Sequence, residues 1–199
     1  MDFHALLRPT ERLRLRWLEP RDEAVFCALY GCPDTMRGIG APLAPAEARE
    51  RFSARLQMQQ QALDILPQRV VSAREESIES LKWPWENTSA EQPNHCLRVV
   101  AELAVDTGVA GLFGLDCWDD DGHEWELGVM TLPNGRGHGY PTEVLSVLSA
   151  RLLELGAHRI TLRCKAENHA ARRTAVRAGF RGYEVALPGG LQVYWSRTS

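Results

Sequence analysis

The stretch Leu132 to Leu155, LPNGRGHGYPTEVLSVLSARLLEL, holds the residues best suited to grip a ligand. Gly135, Gly137 and Gly139 stand at every second position, with Arg136 and His138 between them. Pro141 fits the first position of a helix, where its missing N–H would have had no intrahelical acceptor. Val144, Leu145, Leu148, Leu152 and Leu155 then recur at helical spacing, while Glu143, Ser146, Arg151 and Glu154 fall on other faces. A glycine-rich loop running into a helix lets bare backbone approach a ligand and aims amide N–H groups and the positive dipole end at it. Such a place binds anions, phosphate above all; glycines in the same positions also serve as plain turn residues. A dinucleotide fingerprint would need a small residue where Thr142 stands, and no Gly-Lys pair followed by Ser or Thr marks a Walker-type loop.

The elements that must position this loop can be read in order. Arg12 to Leu18 alternates Leu13, Leu15 and Trp17 with three arginines, a half-buried strand with a charged outer face. Asp22 is available to cap a short helix carried by Ala24, Val25, Ala28 and Leu29. Ala46 to Ala62 reads as a second helix, with Ala48, Phe52, Leu56 and Gln59 or Gln60 marking its period and its glutamine-bearing end in solvent. Residues 63–95 are the least readable stretch: a Ser72 to Glu75 capping box starts a short helix through Leu81, and a loop then carries Trp83 and Trp85 toward the core or a ligand.

From Cys96 the pattern is of strands. Leu97, Val99, Ala101 and Leu103 alternate; Asp106 to Gly108 turns the chain; Val109 to Leu115 returns. An acidic loop, Asp116 to Gly122, leads to Glu124 to Thr131, with Glu124, Glu126, Gly128 and Met130 on one face and Trp125, Leu127 and Val129 on the other. Beyond the central helix, His158 to Arg163 is a strand. Asn168 caps a helix through Ala178 that Gly179 ends, and two strands close the chain. The order implies a single domain, 1–199, with a mixed sheet covered by helices.

Composition is that of an ordinary globular protein: 199 residues, 44% hydrophobic, 25% charged, net charge -3. That charge gives no nucleic-acid footprint. Five scattered cysteines lack metal-ligand or disulfide spacing, so no metal and a reducing, cytoplasmic home are expected. No run approaches the roughly 18 apolar residues of a membrane span, and no membrane partner is expected. With only two lysines, Lys82 and Lys165, the positive charge is nearly all arginine, through anion recognition or through genomic habit.

Three blocks, TERLRLRWLEPRDE with a following PDTMRGIG, ELGVMTLPNGRGHGYPTEVL, and AENHAARRTAVRAGF, resemble the Gcn5-related N-acetyltransferase (GNAT) superfamily, and within it the ribosomal-protein-alanine acetyltransferase-like branch. The likeness spans residues 10–182, leaves 63–95 as an insertion, and implies an α/β (α+β) fold with a mixed, mostly antiparallel sheet. Its fourth strand would splay from the fifth to hold the pantetheine arm of acetyl-CoA, placing Val129, Met130 and Thr131 along that arm. The pyrophosphate loop falls on Arg136, Gly137, His138, Gly139, Tyr140 and Pro141; proline supplies no N–H, so one contact is lost or is replaced by Thr142. Asn168 is implied near the pantetheine. Arg173 reaches a CoA phosphate or is a solvated helix charge.

Acetyl transfer needs an amine deprotonated, a carbonyl polarised and a thiolate protonated. The resemblance makes Glu126 the base, directly or through water, with the N–H of Val129 or Met130 polarising the carbonyl. Relatives protonate the thiolate with a hydroxyl at the places held here by Ala171 and Ala175, leaving water, His169 or Tyr140. The acidic run Asp119, Asp120 and Asp121 with Glu124 either attracts a cationic amine or is solvated loop. Acceptors implied are a protein N-terminus or a small amine such as an aminoglycoside, polyamine or amino-acid derivative, with the protein acting as monomer or homodimer. A CoA-binding sensor that lost its acid, and a structural domain whose glycines only turn the chain, are the competing readings.

Overall fold

The computed structural model describes residues 3–69, 93–106, 108–119, 122–187 and 190–198. Strands β1 (Leu13–Trp17), β2 (His95–Leu103), β3 (Val109–Cys117) and β4 (Glu124–Thr131) form an antiparallel meander. β5 (Arg159–Lys165) lies parallel to β4, and β6 (Arg181–Leu187) and β7 (Gly190–Thr198) complete a seven-stranded sheet ordered β1-β2-β3-β4-β5-β7-β6. The sheet is thus mixed, as the order of elements implies, and mostly antiparallel, as the resemblance implies.

Strand alternation divides the apolar residues between two cores. Leu97, Val99, Phe113, Leu115, Trp125 and Leu127 face one way and pack with α4 (Tyr140–Glu154), α5 (His169–Arg177) and a 3-10 turn at Phe3–Leu7. Val100, Leu112 and Met130 face the other way, beneath α1 (Glu23–Gly31), α2 (Pro33–Met36) and α3 (Pro45–Arg69), where Phe26, Leu29, Met36 and Phe52 are buried. Each fully buried side chain of this size contributes roughly 1.5–3 kcal/mol. Trp125 brings its own polar atom inside, and its Nε1–H donates to the Gly122 carbonyl at 2.8 Å, so nothing is left unsatisfied.

Several expectations are corrected. The second helix does not stop at Ala62; it runs to Arg69, into the stretch 63–95 that the resemblance leaves as an insertion. Its far end is not solvated at Gln59, which is buried: Nε2 donates to the Leu18 carbonyl at 2.9 Å and Oε1 accepts the Arg98 N–H at 3.0 Å. Gln59 sits where β1 has ended beside β2, so a side-chain amide takes the place of the missing strand partner. Asp22 does not cap α1 through its side chain; it binds the Arg16 guanidinium through both oxygens at 2.7 Å and accepts the Glu19 N–H. Asp116 and Cys117 belong to β3 rather than to a loop, paired with Glu126 and Trp125. The helix through Leu81, Trp83 and Trp85 lies outside the described residues.

β4 and β5 pair only from Glu124↔Arg159 to Leu127↔Leu162. Beyond that point β4 stays with β3 as far as Gly111↔Thr131, and β5 stays with β7 as far as Lys165↔Gln192. The two strands therefore part at their C-terminal ends, and the expected gap is present.

Candidate functional site

A cavity of about 480 Å³ fills the gap and passes through the sheet. Leu145, Asn168, Ala171 and Ala175 line it on the α4–α5 side; Tyr30, Arg51 and Arg55 line it on the α1–α3 side. Val129 and Met130 both line it, but they offer different groups. The Leu132 N–H donates to the Ala110 carbonyl, and a Cβ on Gly111 would lie 2.7 Å from the Met130 carbonyl oxygen, so the backbones of 130 and 132 face β3. Successive residues alternate in direction, so the N–H and C=O of Val129 face the gap. The Thr131 carbonyl faces outward in the same way and accepts the Arg136 Nε–H at 3.3 Å. Of the two amides expected to polarise a carbonyl, that of Val129 is the one aimed there; Met130 contributes its side chain.

The sheet register assembles the polar floor. Arg98, Gly114 and Gly128 stand abreast on β2, β3 and β4, as do Cys96, Asp116 and Glu126. A Cβ on Gly114 would meet the Arg98 guanidinium carbon at 3.4 Å, and one on Gly128 would meet nothing within 4 Å, so glycines here leave room above the strands. Arg98, buried, binds Asp116 at 2.7 Å. Glu126, 16% exposed, faces Arg163 at 3.4 Å. Burial first, and then the neighbouring Asp116, push the Glu126 carboxyl above its usual range, with Arg163 opposing. A carboxylate so placed is a stronger proton acceptor than one in water.

The glycine loop is open. Arg136, Gly137, His138 and Gly139 are exposed, and a Cβ on Gly137 would find nothing within 4 Å. Gly137 and Gly139 have φ of 80° and 79°, the left-handed region that other residues occupy at a cost. Gly139 is the N-cap of α4, so the helix starts at Tyr140 and Pro141 is its second residue, not its first. The first backbone bond of α4 joins the Glu143 N–H to the Gly139 carbonyl at 3.1 Å; amides ahead of it are those a helix leaves without an internal acceptor, Pro141 offering none. Arg136 reaches the Thr35 hydroxyl at 3.0 Å.

Support for this loop comes from Arg12, which no motif singles out. Its guanidinium donates to the His138 carbonyl at 2.9 Å, binds Glu143 and lies 4.9 Å from the centre of the Tyr140 ring, which stacks on His138. Burial would raise the Glu143 carboxyl, but hydrogen bonds from Thr10 and Arg12 outweigh it and hold that carboxyl below its usual range.

Asn168 caps α5, its Oδ1 accepting the Ala171 N–H at 3.1 Å, and it lines the cavity against Gly38. Arg173 is exposed on α5 and is not among the lining residues. Tyr140 and His169, considered as proton donors, do not line the cavity either; Tyr30 does, and it is the one tyrosine among the lining residues described. Two of the acidic residues are engaged locally: Asp119 accepts the backbone N–H groups of His123 and Glu124, and Glu124 binds Arg159. Neither of those two carboxylates faces the cavity, and Asp120 and Asp121 lie outside the described residues. Tyr30, Asp116, Arg98 and Arg55 are therefore lining residues that inspection of the sequence missed, because only the register and the packing of α1 and α3 bring them together.

Residues 12–181 match the model of the acetyltransferase (GNAT) domain, and the chain belongs to that family. Its fold is similar to that of an acetyltransferase from Salmonella typhimurium that modifies the N-terminal serine of the 50S ribosomal subunit protein L7/L12, at 11% identity and a TM-score of 0.71, covering 97% of this chain and 98% of that one. A spermidine N-acetyltransferase from Vibrio cholerae, in complex with CoA and spermine, is similar at 16% identity and 0.69, over 95% and 96%. An aminoglycoside acetyltransferase in complex with coenzyme A and kanamycin is similar at 16% identity and 0.61, over 94% of each chain. No curated protein matches the chain.

Proposed function

We propose that the protein is an acetyl-CoA-dependent N-acetyltransferase that carries an acetyl group to a primary amine. The supporting observation is that two features meet at one end of β4: parted strands with the Val129 backbone facing the gap, and an open glycine turn leading into the N-terminus of α4. The coenzyme supplies an activated acetyl thioester. The Val129 backbone groups hold the pantetheine arm, and Thr131 marks its exit. Amides of Gly137, His138, Gly139, Tyr140 and Thr142, with Arg136 turned from Thr35, receive the twin phosphates. Asn168 borders the arm, and Arg173 reaches an outer phosphate.

Within the cavity Glu126 takes a proton from the acceptor ammonium, directly or through one water. The Val129 N–H steadies the negative charge that develops on the carbonyl oxygen. Ala171 and Ala175 border the site without a hydroxyl; Tyr30, the tyrosine among the described lining residues, or a water would protonate the departing thiolate. The same two alanines favour a second reading, a non-catalytic acyl-CoA sensor on this fold. None of the five cysteines forms a disulfide, and a cytoplasmic location belongs to the same proposal. Among the described residues no helix is long and apolar enough to cross a membrane.

Acetyl-CoA at about 100 times its Kd is expected to add roughly 2.7 kcal/mol of stability. For a chain of this length that raises Tm by roughly 6 °C in a thermal melt. No shift would overturn both readings. Release of free thiol in the presence of amines then separates the enzyme from the sensor.

A further inference from the structure

Among the described residues, the α1–α3 side of the cavity carries more positive charge than its carboxylates neutralise. Arg51, Arg55, Arg98, Arg163 and Lys165 line the cavity against two described acids, and each of these already has a partner, Asp116 with Arg98 and Glu126 with Arg163. Arg51 leans on Glu47 at 3.8 Å at the outer rim. Arg55 is different. It is half-buried, and its hydrogen-bond acceptors among the described residues are two sulfur atoms, Cys96 Sγ at 3.2 Å and Met58 Sδ at 3.6 Å. Burial first, and then Asp116, push the Cys96 thiol up to about 11, so it meets Arg55 as a neutral group. Among the described residues this half-buried guanidinium meets only weak, uncharged acceptors, and an anion entering the cavity would be a stronger partner than either.

Geometry sets where that anion sits. Cys96, Asp116 and Glu126 are abreast on adjacent strands, so Arg55 stands over the same row of residues as the base, two strands away. We propose that the acceptor is an amine that itself bears a carboxylate: its ammonium approaches Glu126 while its carboxylate is taken by Arg55, with Arg51 at the rim. This rests on the acetyltransferase reading and narrows it. A planar fork of N–H donors suits a carboxylate, whereas a polycation such as spermidine would meet like charge on this wall.

The test uses the full-length protein saturated with acetyl-CoA and two matched pairs: L-alanine against L-alaninamide, and an acidic tetrapeptide with a free N-terminus against its asparagine and glutamine counterpart, with spermidine as a fifth acceptor. The anionic member of at least one pair should show about 10- to 100-fold higher kcat/KM, the range expected for a hydrogen bond to a charged group. Arg55→Met should bring the anionic member down to the level of its neutral partner, and Arg55→Lys should restore part of the preference. The pair that responds tells a free amino acid from a peptide N-terminus. Equal use of both members, a preference for spermidine, or a preference that survives in Arg55→Met would overturn the proposal. Should no amine be acetylated, equilibrium binding of the same panel to the CoA-saturated protein decides separately. An anionic preference lost in Arg55→Met then upholds the acceptor wall while the acetyltransferase reading falls; no preference sinks the wall.

Discussion

Gly139→Glu should abolish the rise in Tm given by acetyl-CoA, whereas Gly139→Ala should retain most of it. The two variants share one penalty. Residue 139 has a φ of 79°, and a side chain there costs about 1–2 kcal/mol of stability whatever its nature. They differ in what the side chain presents. A Cβ at 139 lies in open space, its nearest neighbour Arg12 Nη2 at 3.7 Å, so glutamate is accommodated without a clash and places its charge at the mouth of the α4 N-terminus. A like charge about 4 Å from a phosphate, at the effective dielectric of a partly exposed site, costs roughly 4 kcal/mol. That is about a thousandfold in Kd. Thermal melts with and without acetyl-CoA measure both parts: the baseline Tm falls alike in the two variants, and the increment vanishes only in Gly139→Glu. An increment that persists in Gly139→Glu means that the coenzyme phosphates lie elsewhere.

What the sequence made legible follows from how local the determinants are. The bounds Glu124–Thr131 of β4 could be read because Trp125 and Leu127 alternate with Glu124 and Glu126 and turn residues stand at both ends, although the adjacent Val129 and Met130 break the pattern further on. Asn168 was readable as a cap for the same reason: the bond it makes reaches only three residues along the chain. The start of α4 was misplaced by one residue because Gly139 in the left-handed region takes the cap and moves Tyr140 into the helix. Gln59 misled more seriously. A glutamine in a run of glutamines reads as solvated, and only the end of β1, forty-one residues away at Leu18, gives it backbone groups to satisfy.

The site's least legible residues are those joined across the greatest separations. Arg12 and Glu143 are 131 residues apart, yet together they set the shape of the glycine loop. Arg98, Gly114 and Gly128 form a row only after two hairpins have fixed their register, and a slip of one residue would turn all three to the opposite face. The same register puts Asp116 directly beside Glu126, so the proton affinity of the proposed base depends on a pairing no motif encodes. A glutamate on a strand is ordinarily exposed; this one differs because α1 and α3 cover its face.

That dependence yields the second large effect. Glu126→Gln should lower acetyl transfer about 10²- to 10⁴-fold, the usual contribution of a positioned general base, and leave the acetyl-CoA increment in Tm unchanged. Glutamine keeps the shape of the side chain and gives up only the proton acceptor and a contact to Arg163, whose side chain is 44% exposed and whose pairing contributes little. The pH profile separates a base from a structural residue. Below its pKa Glu126 carries a proton and cannot take another, so kcat/KM should rise with pH through a value above the usual glutamate range, since burial and Asp116 raise that pKa. Glu126→Gln should lack this limb. Arg163 favours the charged form, so Arg163→Met should move the limb to higher pH. Undiminished turnover in Glu126→Gln, or a limb that neither variant alters, would assign the proton transfer to another group, of which Asp116, one strand away and bound to Arg98, is the nearest in register.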